Sequence, residues 1–345
     1  MRLPVPEPAS GGVMLSYKCN AACRHCMYAC SPRWDGDWMS EEGLRELLET
    51  LQPYLQPAPY GPRSLSLNMG LHFTGGEPFL NFDLLRRGVE IATELEIPSL
   101  FVETNGFWGR NEQRAREMLR ELKEAGLVGL LISVNPFFLE YVPFEATDTA
   151  IQVAHEVFGR HLMVYQLDYY ARFKELGITG TMPFGKYLER EGREQTFGRT
   201  EFFLNGRSPF RMEEFGIFPH RPAREWAKEP CVPQFLRPWH NHFDNYGNFV
   251  PGYCGGISLG DWYDIPTMVS EGIELDERPV IDHIIRDDFP GLLELARRYG
   301  YREREEGYLS KCHFCADIRR HLVHAAAEAG WSFPELAPAE FYDQL

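Results

Sequence analysis

The chain has 345 residues, 44% of them hydrophobic and 25% charged, and a formal net charge of −15 at pH 7. This length and composition fit one large α/β domain with a smaller appendage, or two modest domains, around a core of ordinary size. The acidic balance and the absence of a basic tract exclude nucleic acid as the main partner, and no run of eighteen apolar residues is available to span a membrane.

The N-terminal MRLPVPEPASGG lacks the charged start and apolar run of a signal peptide, so a cytoplasmic location is expected. Residues 13–17 read as a first strand running into a cysteine-rich loop. Ser40 reads as a helix N-cap, with Glu41 and Glu42 in the first turn and Leu44, Leu47, Leu48 and Leu51 at helical spacing. Residues 65–73 predict a strand that ends at Thr74-Gly75-Gly76-Glu77-Pro78, and 82–95 a helix. A short strand over 99–102 ends at Glu103-Thr104-Asn105-Gly106, and a helix over 112–125 closes at Gly126. Residues 127–134 form a buried strand stopped by Asn135-Pro136, 147–158 a helix, and 161–167 a further strand. Strands alternating with helices argue for a parallel sheet with right-handed crossovers. The unusual residues gather after the strands, at the sheet end where α/β proteins place their chemistry. From 187 onward the periods fade. Gly, Pro, Trp and Phe dominate up to about 270, as in a small irregular domain organised by ligands.

There are eight cysteines. Four fall within twelve residues, and two more form a C-x-x-C pair. In a chain this long, such clustering points to metal or redox chemistry rather than a disulfide scaffold. Cys19, Cys23 and Cys26 form C-x3-C-x2-C. Three thiolates on one loop can hold three corners of a cuboidal [4Fe–4S] cluster and leave one iron open. On spacing alone zinc is the alternative, with His25 or Cys30 as fourth ligand. Cys30 is otherwise a packed free thiol, or a hydrogen donor or acceptor beside a radical.

The run LSYKCNAACRHCMY, followed after the next strand by Gly75-Gly76-Glu77-Pro78, resembles the radical S-adenosylmethionine (SAM) superfamily. The resemblance implies a partial (β/α)6 barrel of the TIM type over residues 1–186. It implies that the open iron chelates SAM through its amino nitrogen and carboxylate oxygen. One electron then breaks the sulfur–C5′ bond, and the 5′-deoxyadenosyl radical takes a hydrogen atom from the substrate. Gly75, Gly76, Glu77 and Pro78 match the motif that meets the SAM amino group. Glu103 and Asn105 match the fourth-strand motif, and Ser133 and Asn135 the contacts to carboxylate or ribose. His25 and Tyr28, beside the cysteines, join the expected cofactor contacts. The sixth-strand glycine motif has no secure counterpart.

Cys231, Cys254, Cys312 and Cys315 offer four more thiolates, enough for zinc or for a fully ligated [4Fe–4S] cluster. Asp244-Asn245-Tyr246-Gly247-Asn248-Phe249-Val250-Pro251, just before Cys254, resembles the hairpin of SPASM and twitch auxiliary-cluster domains. Gly247 stands further from the next cysteine than in that pattern. Only four cysteines are present, where the full SPASM set has seven. The resemblance therefore implies one auxiliary cluster of the twitch type in a domain over 187–345 that includes C-terminal helices.

An auxiliary cluster suits net oxidation, because it can accept the electron left on a substrate radical. The expected function is oxidative modification of a ribosomally synthesised peptide or protein. Electrons would come from flavodoxin or ferredoxin, and a separate protein could bind the leader peptide. Oxidation or rearrangement of a small molecule, such as an aminocyclitol, sugar or cofactor precursor, is the second expectation. A non-catalytic metal-binding or electron-transfer scaffold is the third.

Overall fold

The structure, a computed structural model, describes residues 1–198 and 202–345. It has two compact units. One comprises Ala9–Cys23 and Cys30–Phe202, the other Met1–Pro8, Arg24–Ala29 and Phe203–Leu345.

The first unit is α/β. Strands β1 (Ser10–Met14), β2 (Gly70–Thr74), β3 (Phe101–Thr104), β4 (Gly129–Ser133) and β5 (Leu162–Tyr165) lie parallel in the order β5-β4-β3-β2-β1. Met14 pairs with Thr74, Phe73 with Val102, Thr104 with Ile132 and Ser133 with Tyr165, so the strands end in step. That register delivers the Thr74, Thr104 and Ser133 ends to one edge of the sheet. Strands β1 and β2 are buried along their whole length, as parallel strands covered on both faces must be.

The covering helices start where their caps say. In α1 (Glu41–Leu51) the Ser40 Oγ accepts from the Gly43 N–H at 3.0 Å, and Leu44, Leu47, Leu48 and Leu51 form the buried face. Asn81 caps α2 (Phe82–Glu94), and Asn111 caps α3 (Glu112–Glu124), by the same bond. α4 (Phe144–Phe158) packs a broad apolar face, and α5 (Leu167–Glu175) follows β5. α6 (Phe184–Phe197) bends at Gly192, which has a φ of 74°. The expected domain boundary at 186/187 falls inside α6.

The first strand begins three residues earlier than the sequence suggests. Gly11 and Gly12 are buried in the ladder, while the segment after Met14 leaves it. The Tyr17 C=O accepts from the Ser31 N–H at 3.3 Å, and the Cys19 N–H donates to the Ser31 C=O at 3.2 Å. The Tyr17 C=O and the Cys19 N–H are thus satisfied by the returning loop rather than by a neighbouring strand.

In the second unit, β6 (Asn241–Asp244) and β7 (Phe249–Val250) form an antiparallel hairpin with Phe243 opposite Phe249. Its turn has Gly247 at a φ of 93°. The Asp244 carboxylate accepts from the Tyr246 and Asn248 N–H groups at 3.0 and 2.8 Å. Helices α7 (Pro279–Ile285), α8 (Phe289–Arg298) and α9 (Lys311–Glu328) supply the apolar core through Val280, Ile281, Leu292, Phe314, Ile318 and Leu322. Among the described residues, no helix is long and apolar enough to cross a membrane.

Candidate functional site

The turn after β2 lies directly on the segment that leads into Cys19. The Gly76 N–H donates to the Ser16 C=O at 2.8 Å, and the Glu77 N–H to the Lys18 C=O at 3.0 Å. The approach is too close for side chains. A Cβ on Gly76 would stand 1.8 Å from the Lys18 oxygen. One on Gly75, whose φ is 113°, would stand 2.5 Å from the Ser16 oxygen. Two glycines are therefore required for this backbone contact. Pro78 opens a single 3-10 turn, Pro78–Asn81. Cys30 is buried, and its Sγ donates to the Gly75 C=O at 3.3 Å, so this thiol holds the same turn.

Glu77 ties that turn to the end of β3. Its buried carboxylate accepts from Thr104 Oγ1 and the Asn105 N–H, both at 2.8 Å, and from the Phe79 N–H at 3.2 Å. Burial pushes the Glu77 carboxyl up to about 7, against the opposing pull of these three donors. Thr104 Oγ1 accepts in turn from Trp108 Nε1 at 3.0 Å. Asn105 Nδ2 donates to Asn20 Oδ1 at 2.8 Å and lies 3.9 Å from Cys19 Sγ. Cys19, the Gly-Gly-Glu-Pro turn and the Glu-Thr-Asn-Gly turn, separate in sequence, meet here within one unit.

The other expected contacts are placed as follows. Glu103 accepts from Thr74 Oγ1 at 2.9 Å and faces His72 Nε2 at 3.7 Å. Burial pushes the His72 imidazole down to about 3. Ser133 is the last residue of β4 and is partly exposed. Asn135 Oδ1 accepts from the Phe137 and Phe138 N–H groups at 3.0 and 3.2 Å, closing the turn after β4. Tyr141 adds a contact that the spacing did not suggest: its hydroxyl donates to the Ala22 C=O at 3.0 Å, between Cys19 and Cys23.

Cys19 and Cys23 belong to the first unit and Cys26 to the second, and an eight-residue stretch of chain carries all three. In the second unit the buried Arg207 holds the end of that loop. Its N–H donates to the Cys26 C=O at 3.1 Å, and its guanidinium bonds the Ala29 C=O and, at 2.8 Å, the Gln344 C=O. Burial, then the Arg207 charge, push the His25 imidazole down to about 3, although part of the residue stays accessible. The Tyr28 hydroxyl lies 2.8 Å from His242 Nδ1 and 3.2 Å from the Gly252 C=O it bonds.

The second unit also gathers the other four thiols, none of them in a disulfide. Burial, then Cys315, push Cys231 up to about 12. Burial, then Cys231 and Cys312, push Cys254 well above its ordinary range. Cys312, one face of which reaches solvent, is pushed up to about 11 by its crowded inner side and by Cys315. Thiols that disfavour one another's ionisation in this way lie within electrostatic reach of one another. Crowded neutral thiols would exchange their protons for a thiophilic cation, so by ligand type the donor set suits a four-cysteine cluster or a zinc ion. Cys312 and Cys315 come from the first two turns of α9. Ser310 caps that helix, its Oγ accepting from the His313 N–H at 2.9 Å.

Residues 68–197 match the Radical SAM superfamily. The chain carries a radical SAM domain. The match runs from β2 to α6 and includes the Gly-Gly-Glu-Pro and Glu-Thr-Asn-Gly turns. The chain is similar in part to the putative peptide biosynthesis protein YydG of Bacillus subtilis (strain 168). The two are 27% identical over 130 residues, which is 38% of this chain and 37% of YydG. The chain thus spans little more than a third of that relative. Among solved structures, anSMEcpe with bound AdoMet matches at a TM-score of 0.45 and 12% identity, over 92% of this chain and 96% of that one. BtrN in complex with AdoMet and 2-DOIA matches at a TM-score of 0.44 and 16% identity, over 79% and 89%. Both likenesses are too distant to bear on substrate or site.

Proposed function

We propose that the chain is a radical SAM enzyme that oxidatively modifies a ribosomally synthesised peptide. The carrying observation is the seating of the Gly75-Gly76 turn on the backbone before Cys19, with Asn105 reaching the Cys19 sulfur from the next strand end. In this reading Cys19, Cys23 and Cys26 hold a [4Fe–4S] cluster whose fourth iron takes SAM. When bound, the cluster and SAM together supply a 5′-deoxyadenosyl radical for hydrogen abstraction. The chain's own residues position and shield. Glu77 fixes the turn expected to meet the SAM amino group. Asn105 and Asn20 steady Cys19, and Tyr141 holds the loop at Ala22. Ser133, Asn135, Glu103, His25 and Tyr28 remain the further candidates for cofactor contact. Cys231, Cys254, Cys312 and Cys315 hold a second [4Fe–4S] cluster with no open iron, which leaves it electron transfer or support. Peptide as substrate is supported by the name of the YydG relative. A flavodoxin or ferredoxin supplies electrons, and a separate protein binds any leader.

Anaerobic reconstitution with iron and sulfide tests this reading. The expected result is about eight irons per chain, two clusters of four, with 5′-deoxyadenosine formed from SAM on reduction. A chain that takes up zinc at both cysteine sets and leaves SAM intact is a scaffold instead. A peptide encoded beside the gene should lose the mass of two hydrogens when co-expressed.

A further inference from the structure

We propose that Arg319 is a positioning residue that raises the reduction potential of the auxiliary cluster. The inference rests on the reading of Cys231, Cys254, Cys312 and Cys315 as that cluster's ligands. On α9, Cys312, Cys315 and Arg319 follow one another at intervals of three and four, which puts them on one face. Arg319 is 6% exposed. Its Nη1 donates to the Gly255 C=O and to the Tyr342 hydroxyl, both at 2.9 Å, and Gly255 directly follows Cys254. Arg319 therefore bridges the helix that carries two of the cysteines to the loop that carries a third. Its Nε–H is buried without a hydrogen-bond partner among the described residues. Besides Tyr342, Cys315 and Cys254 are the groups whose negative charge would favour the guanidinium.

A cation buried without a counter-ion is costly. Four cysteine thiolates around a cluster would supply the missing negative charge. That charge grows by one when the cluster takes an electron, and Arg319 keeps its protons throughout, so it favours the reduced state over the oxidised one. A higher potential makes the cluster a better acceptor for the electron left by substrate oxidation.

The test is an EPR redox titration of the reconstituted holoenzyme, read on the signal that SAM does not perturb. In Arg319→Gln the ratio of reduced to oxidised auxiliary cluster at the wild-type midpoint should fall at least tenfold, about 59 mV for one electron. Arg319→Lys, which keeps the charge, should stay within threefold. A Gln variant that titrates with the wild type overturns the inference. If the Gln variant cannot hold the second cluster, the Lys variant decides. Retained iron and a near-wild-type titration support a role for the charge, and a tenfold shift or lost iron in Lys overturns it. A wild-type chain holding only about four irons, one cluster's worth, fails at the earlier step and refutes the auxiliary cluster itself.

Discussion

Gly76 leaves no room for a methyl group, because the Lys18 carbonyl oxygen would sit 1.8 Å from it and backbone cannot swing aside as a side chain can. Gly76→Ala should therefore destabilise the metal-free protein by about 1–3 kcal/mol in urea unfolding and lower iron uptake at the N-terminal cysteines. Gly180→Ala, where nothing lies within 4 Å of the added carbon, is the control and should unfold with the wild type. Glu77 gives a pH signature. Its folded-state carboxyl is raised to about 7 from 4.5. The stability tied to its protonated form is fully present below the unfolded value and is lost as pH rises through about 7. The loss is on the order of 3 kcal/mol. Glu77→Gln cannot ionise. Its stability should change less between pH 5 and pH 8 than that of the wild type, even if pairing its amide with the Asn105 N–H adds a constant cost. Parallel pH profiles in thermal unfolding would show that Glu77 is not the group responsible.

Among the elements, α9 couples folding to the cysteines most directly, since Cys312 and Cys315 sit in its first two turns and Ser310 caps its start. Ser310→Ala should cost about 1 kcal/mol of stability. It should also release iron from the second site faster under chelator than from the first, as followed by absorbance; equal release from both would detach the cap from the site. The sequence was readable where one residue type does one local job. Ser40, Asn81 and Asn111 announce helix starts, and the leucines of α1 announce its face. It was less readable where a partner lies far along the chain. Tyr141 meets Ala22, Arg207 meets Ala29, and Arg319 meets Gly255. Each joins a side chain to a backbone carbonyl, and carbonyls leave no trace in a sequence. The sequence points to the apolar end of β1 because Gly11 and Gly12 have weak strand propensity, yet the ladder with β2 takes them.

At the scale of the whole molecule, the α/β class and the run of parallel strands followed from the alternation of elements. The motif loops followed from their places after strands. The division of the chain did not follow in the same way. Residues 24–29 count with the C-terminal unit while Cys19 and Cys23 count with the sheet, and α6 runs through the expected boundary. A composition shift near 187 marks where periodicity fades, not where packing changes partners. The four C-terminal cysteines, spread over eighty-five residues of sequence, all fall in one unit. What the function requires of the other three is an iron that no protein side chain fills. Electron–nuclear double resonance on the reduced holoenzyme, with SAM isotopically labelled at its amino nitrogen and carboxylate oxygens, addresses that iron directly. Hyperfine coupling from both labelled positions, lost in Cys23→Ala, is the predicted result; a cluster signal without either coupling would contradict the account.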